Sequence, residues 1–431
     1  MSVLGERWGR YVGLLLLAAV VGVLSGIASA AFLHALGWAT ATQREQPWLL
    51  FLLPLAGVGM AASYAAWGGA AGRGHNAILD EIHDDLPGTP LRMAPMILVA
   101  TVATHLFGGS AGREGTAVQM GGAFGGAVGR RFRLEREERQ LLLMAGIAAG
   151  FGSVFGTPLA GALFAVEVLA IGGLRYDALV PCLIAAWVGD EVTRGLAVTH
   201  SEWRLIDVPS ATPDVVWRVV VAGVAFGAAA ALFAGATHFV ETWSRRIARK
   251  PALRAFLGGA LVVAITLALG TRLYNGLGTD LIAAALTDEG VPTLGFLFKI
   301  VLTAVTLGVG FKGGEVTPLF AIGASLGWTL SGWLDLPGPY LAALGFVAVF
   351  AAAANTPLAC IVLGVEIFGG GPALAFGVAV IVAYTVSGHR GIYPAQRIAR
   401  GKAPWPRPRG AHLAAVRQQR SERSGGAGDE G

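Results

Sequence analysis

From Tyr11 to Leu36 the chain runs without a single Lys, Arg, Asp or Glu. That stretch exceeds the ~20 apolar residues a helix needs to cross a hydrocarbon layer of roughly 30 Å. Val216 to Phe239 and Phe256 to Leu273 are further apolar stretches long enough to span, each with a single arginine, Arg218 and Arg272. Hydrophobic residues make up 54% of the 431 positions and charged ones 14%, against about 25% charged in an average soluble domain, which excludes a soluble fold. Lipid offers the backbone no hydrogen-bond partners, so repeated spans of this length imply helices. The fold class expected is an all-α polytopic membrane protein. The first span is too long for the apolar core of a signal peptide, and more spans follow it. Arg7 and Arg10 precede it and place the N-terminus in the cytoplasm. The expected location is the inner (plasma) membrane, crossed many times, with both termini cytoplasmic and lipid as the surrounding partner.

Net charge is +5 and is concentrated in two places, the run Arg130, Arg131, Arg133, Arg136, Arg139 and the tail from His389 onward. Basic runs beside membrane spans act as topology anchors, so no nucleic-acid partner is expected. Residues 401–431 read as a basic cytoplasmic tail, disordered in its polar, Gly-rich end from Arg417 to Gly431, with too little chain for a regulatory domain. Cys182 and Cys360 lie in apolar sequence without metal-like spacing and read as packing residues.

The chain repeats itself. Gly22, Gly26 and Phe32 match Gly223, Gly227 and Phe233 at an offset of 201 residues. At the same offset Gly112, Glu114, Thr116, Gly122 and Ala123 meet Gly313, Glu315, Thr317, Gly323 and Ala324. Thr157-Pro-Leu-Ala160 and Val166-Glu167 then meet Thr356-Pro-Leu-Ala359 and Val365-Glu366, now 199 apart. Three matches in order imply two homologous halves, 1–200 and 201–400, divided in the polar stretch Thr199 to Pro213.

Repeated halves in secondary transporters hold their substrate near the membrane midplane, at broken helices. Three apolar segments are too interrupted by glycine for long straight spans: Phe107 to Gly126, Phe151 to Ala165 and Gly308 to Gly327. Unwound backbone at that depth must line protein or a wet cavity. Helix starts placed there present free N–H groups and the positive end of the helix dipole, which suits an anion.

Acids at this depth are few. Glu114, in Gly112-Arg-Glu-Gly-Thr116, can occupy an anion site as a tethered carboxylate and leave when protonated; a salt bridge to Arg113 is the structural alternative. Glu315 stands at the equivalent place beside Lys312, with an ion pair between them left open. Glu167 and Glu366 each follow a Thr-Pro-Leu-Ala helix start by ten residues, which implies a paired structural role. Asp80, Glu81, His83 and Asp84 could be taken for metal ligands, but Glu81 and His83 point to different faces of a helix and no HExxH pattern exists. No metal, cofactor or catalytic residue is expected. A helix starting near Gly74 explains that segment, with His75 and Asn76 at its anion-facing start.

Gly112-Arg-Glu-Gly-Thr-Ala-Val-Gln119, Gly308-Val-Gly-Phe-Lys-Gly-Gly-Glu-Val-Thr-Pro318 and Gly388-His-Arg-Gly-Ile-Tyr393 resemble the anion-site motifs of the CLC chloride channels and transporters, in their fluoride-exporting branch. The likeness covers about residues 10 to 400. It implies the CLC-type fold, two inverted-topology helical repeats whose broken helices meet at a central anion site, in a homodimer with one pore per subunit. By motif position Glu114 resembles the gating, proton-carrying glutamate, Tyr393 the tyrosine that closes the central site, and Thr317 the threonine that marks fluoride-type members. The anion-binding set implied is Gly74, His75, Asn76, Arg113, Gly115, Val316, Thr317 and Tyr393. His75 departs from the family, standing where chloride-type members carry serine and where methionine or asparagine would be expected in the fluoride branch. Val168 stands where chloride/proton antiporters carry a second proton glutamate, an absence the fluoride branch shares. The implied activity is fluoride export in exchange for protons, by a transporter and not an enzyme. A chloride channel or chloride/proton exchanger of the same fold stays open.

Overall fold

In the computed structural model the described residues are 3–84, 88–200, 203–402, 404, 412, 413 and 415. Among them sixteen α-helices account for most of the chain, and the only strands are two short ones. The long helices are the apolar ones. Helix α1 (Val3–Glu45) has 43 residues and α9 (Pro213–Ile247) has 35. At 1.5 Å per residue both exceed the bilayer thickness, so they cross it tilted or project from it. Helix α10 (Pro251–Leu269) stops at Gly270, whose φ of +62° ends it. The third span therefore closes four residues before Leu273. Residues 47–67, ending in α2 (Leu53–Trp67), form a further candidate span. The chain is a multi-pass membrane protein.

The order of the helices repeats along the chain. Helices α3 (His75–Asp84), α4 (Met93–Leu106), α5 (Glu114–Arg131), α6 (Arg136–Phe155), α7 (Pro158–Glu167) and α8 (Leu179–Gly195) follow α1 and α2. After non-helical residues 203–212, α9 and α10 lead into α11 (Thr279–Leu286), α12 (Gly295–Gly308), α13 (Val316–Leu334), α14 (Gly338–Ala354), α15 (Pro357–Phe368) and α16 (Ala373–Val386). Packing repeats as well: α1 lies on α8 as α9 lies on α16, and α5 on α6 as α13 on α14.

Small residues make these approaches possible. Gly121 faces the carbonyl of Gly146 across α5 and α6, and Gly323 faces that of Gly345 across α13 and α14, so close that a Cβ at either would enter the opposing backbone. Apolar chains gain nothing by leaving lipid for each other, so backbone contact through small residues supplies the packing. Phe151, Phe164, Phe320, Phe346 and Phe350 fill the centre, with Phe320 stacked on Phe346 at 3.8 Å between centroids.

Strand β1 (Ala170–Ile171) follows α7 and pairs in parallel with β2 (Arg397–Ile398), which folds the segment after Tyr393 back under the first half. The stretch expected to be disordered, Arg417 to Gly431, lies outside the described residues. Near the start of the tail Lys402 is buried, donating to the Tyr384 carbonyl and the Ser387 hydroxyl, and Leu413 is buried as well. Apolar contact on Ile171 and Ile398 outweighs the basic composition there.

Candidate anion site

Helices α5 and α13 begin beside each other because the loops before them are joined. Gly112 N–H donates to Gly314 O at 2.6 Å, and Gly314 N–H to Gly112 O at 2.7 Å. The residues after this bridge start helices whose first N–H groups have no intrahelical acceptor. The Glu114 carboxylate takes that place. Wholly buried, it accepts through Oε2 from the backbone N–H of Arg113 and of Thr317, each at 3.1 Å, and through Oε1 from the Thr317 hydroxyl. Arg113 Nε lies 3.5 Å from Oε1. Helix-start donors and the Arg113 ion pair thus meet at one carboxylate. Both helix dipoles and a guanidinium converge on it.

A second group of side chains lies beside Gly115. His75 is the first residue of α3, after Gly74 at φ +57°. Its ring sits against Gly115, where a Cβ would reach 2.9 Å from Cε1, and 5.5 Å from the Tyr393 ring. Gln119 Nε2 is 3.3 Å from His75 Nδ1, whereas the buried His75 Nε2 has no partner. If the amide donates, Nδ1 is the acceptor and the ring proton sits on Nε2, as a free donor facing Gly115. Asn76 Oδ1 turns elsewhere, accepting from Ala395 N–H at 3.2 Å. Val316 opens α13 and is buried.

Two cavities with a shared wall lie beside these side chains. The inner, of about 190 Å3, is lined by Gly74, His75, Asn76, Gln119, Lys312, Glu315 and Tyr393 among others. The outer, of about 1050 Å3, shares Tyr64, Arg73, Asn76 and Lys312 with it. Glu114 lines neither.

The residues weighed above as metal ligands are directed apart. Asp80 pairs with Arg73, Glu81 with Arg130 at 3.1 Å, and Asp84 with Arg397, while His83 Nε2 faces Leu169 O at 3.0 Å. Glu167 and Glu366 bond helix N-termini rather than the site: Glu167 accepts from Leu358 and Ala359 N–H, Glu366 from Leu159 and Ala160 N–H.

Residues 56–388 match the family model for voltage gated chloride channels, and that span is most of the chain. The chain belongs to this family. A chloride/fluoride channel protein of Pseudomonas syringae pv. tomato is 49% identical over 410 residues, 94% of this chain and 90% of the relative. An H(+)/Cl(-) exchange transporter, ClcA of Cronobacter sakazakii, is 30% identical over 383 residues, 82% of this chain and 81% of that one. The crystal structure of a CLC-type fluoride/proton antiporter superposes with a TM-score of 0.89 at 36% identity, covering 91% of this chain and 99% of the other. The all-α CLC architecture is therefore the fold of this protein.

In this CLC chain the structure brings together Glu114, Arg113, Gly115, Thr317, Gly74, His75 and Tyr393, and leaves Asn76 committed to backbone. Two polar residues were not singled out from sequence. Gln119 was visible in its motif, but nothing there tied it to His75. Lys299 was visible as a lone charge in an apolar run; it is wholly buried in α12 and donates to Ser110 Oγ at 3.0 Å, Tyr274 O at 3.1 Å and Gly276 O at 2.9 Å. Val168 is buried, and its carbonyl accepts from Gln396 at 2.9 Å.

Proposed function

We propose that this CLC protein exports fluoride in exchange for protons, with Glu114 as the group that alternates between anion and proton. The observation that carries the reading is the seat of the Glu114 carboxylate on the N-terminal ends of α5 and α13, held by the Thr317 hydroxyl and N–H. A carboxylate there is a tethered anion. Protonation removes its charge and weakens its hold on those donors, so the side chain leaves and a free anion takes the same N–H and O–H groups. Fluoride is a small, strong hydrogen-bond acceptor, suited to the Thr317 hydroxyl and to a His75 Nε2–H donor. Tyr393 closes the site toward the cavities, and Gly74 and Gly115 let the backbone approach the ion. The 36% identical fluoride/proton antiporter supports the choice of ion.

The halves 1–200 and 201–400 are taken as the two inverted repeats, and two copies of the chain as the working unit in the inner membrane, with both termini cytoplasmic. Val180, Leu183 and Trp187 of α8 and Leu374 and Ile381 of α16 support a lipid or subunit contact by their exposed apolar side chains.

The test is fluoride release, read with an ion-selective electrode, from liposomes holding the purified protein under an imposed proton gradient. Fluoride moving down its gradient should drive protons uphill, and Glu114→Gln should abolish that proton movement in a protein that still folds. A chloride pathway is the second reading, supported by the 30% identical H(+)/Cl(-) exchange transporter. Chloride release of equal size, indifferent to protons, would establish it and retire the fluoride claim.

A further inference from the structure

The loop between α12 and α13 that carries Gly314 to its bridge with Gly112 also carries Lys312. Lys312 lines both the cavity of about 190 Å3 beside His75 and Tyr393 and the vestibule of about 1050 Å3 outside it. An ion passing from one to the other passes this side chain. The Nζ atom is held 4.6 Å from the centroid of the Tyr64 ring, and Tyr64 also lines both cavities. A ring face holds an ammonium group in place without neutralising it.

The other charges of the vestibule are largely matched. Arg73 pairs with Asp80, Asp84 with Arg397, and Arg245 with Glu241 at 2.7 Å. Arg254 is drawn toward the Val309 carbonyl at 3.3 Å, away from the throat. Of Arg73 and Lys312, which line both cavities, Arg73 is paired with Asp80, so the positive charge on the shared wall is that of Lys312, with Glu315 beyond it on the inner cavity.

We propose that Lys312 is the capture site for monovalent halide at the throat between vestibule and inner cavity, with Tyr64 as the residue that positions it. A hydrated halide pairs with the ammonium group there before it exchanges water for the donors around His75 and Tyr393. This inference rests on the reading of the chain as an anion transporter, and holds for fluoride and chloride alike.

The experiment is Lys312→Cys in the full chain in liposomes, with halide release measured at low ionic strength. Both native cysteines, Cys182 and Cys360, are buried, which suits a thiol reagent aimed at position 312. Loss of the charge should raise the half-saturating halide concentration about three- to tenfold, and molar salt should shrink the difference. Reaction with aminoethyl methanethiosulfonate, which restores an ammonium group, should bring the value back. The sulfonatoethyl reagent, of similar size and opposite charge, should raise it further. Identical effects of the two reagents, or a wild-type value in the unmodified variant, would overturn the proposal. Where Lys312→Cys does not fold, Tyr64→Leu must raise the half-saturating concentration in the same direction, and a wild-type value there overturns it. Wild-type release of neither halide would sink the functional reading and this inference together; release without charge dependence at position 312 would sink the inference alone.

Discussion

Glu167 and Glu366 cap each other's helices. Glu167 ends α7 and accepts from the first N–H groups of α15, at 3.1 and 2.9 Å; Glu366, near the end of α15, accepts from those of α7, at 3.1 and 2.8 Å. The exchange requires α7 and α15 to lie antiparallel. It satisfies four donors that Pro158 and Pro357 leave at helix starts lacking any side-chain cap of their own.

Glu167→Ala should destabilise the folded protein by about 1–3 kcal/mol for a buried donor left unpaired, and Glu366→Ala by less, since Glu366 and Leu159 are exposed. Thermal unfolding in detergent is the check. Because the two carboxylates serve different helix ends of one antiparallel pair, the double variant should lose less than the summed single effects. Full additivity would show the pair to be uncoupled.

Thr317→Val keeps the shape of the side chain and removes the hydroxyl from Glu114 and from any ion that replaces it. Fluoride turnover should fall about 10- to 100-fold, the equivalent of one hydrogen bond to a charged acceptor, while Thr317→Ser retains most of it. Initial rates of fluoride release measure this. Equal rates in Thr317→Val and wild type would remove Thr317 from the site.

His75→Ala removes the ring from between Gly115 and Tyr393 together with its unpartnered Nε2. The space it leaves favours the larger ion, so the ratio of chloride to fluoride release should rise. Gln119→Leu removes the donor that fixes the ring and should shift the ratio the same way by less. Parallel release assays with the two halides decide this, and an unchanged ratio in both variants would assign His75 to packing.

Gly121→Ala and Gly323→Ala place a methyl group inside the backbone of the facing helix. Each should cost at least the ~1–3 kcal/mol of an overpacked core and lower the yield of folded protein in size-exclusion chromatography. Gly377→Ala, where a Cβ meets nothing within 4 Å, is the matching control and should behave as wild type.

Much of this molecule was legible before any coordinate. Span lengths and the scarcity of charge determined a helical membrane protein, because lipid leaves the backbone no other way to pair its polar groups. The repeat matched Gly112 to Ala123 with Gly313 to Ala324, and glycines marked Phe107 to Gly126 and Gly308 to Gly327 as interrupted helical segments. These are local or periodic properties, and a linear sequence carries them. Contact between residues far apart in the chain is not of that kind. That the Glu114 carboxylate rests on Thr317, that Gln119 turns the His75 ring, that Glu167 caps α15, and that Lys312 stands on Tyr64 where two cavities meet were decided by tertiary packing. Each depends on which donor or ring face the fold brings within a few ångströms, and on which groups burial leaves without water to replace them.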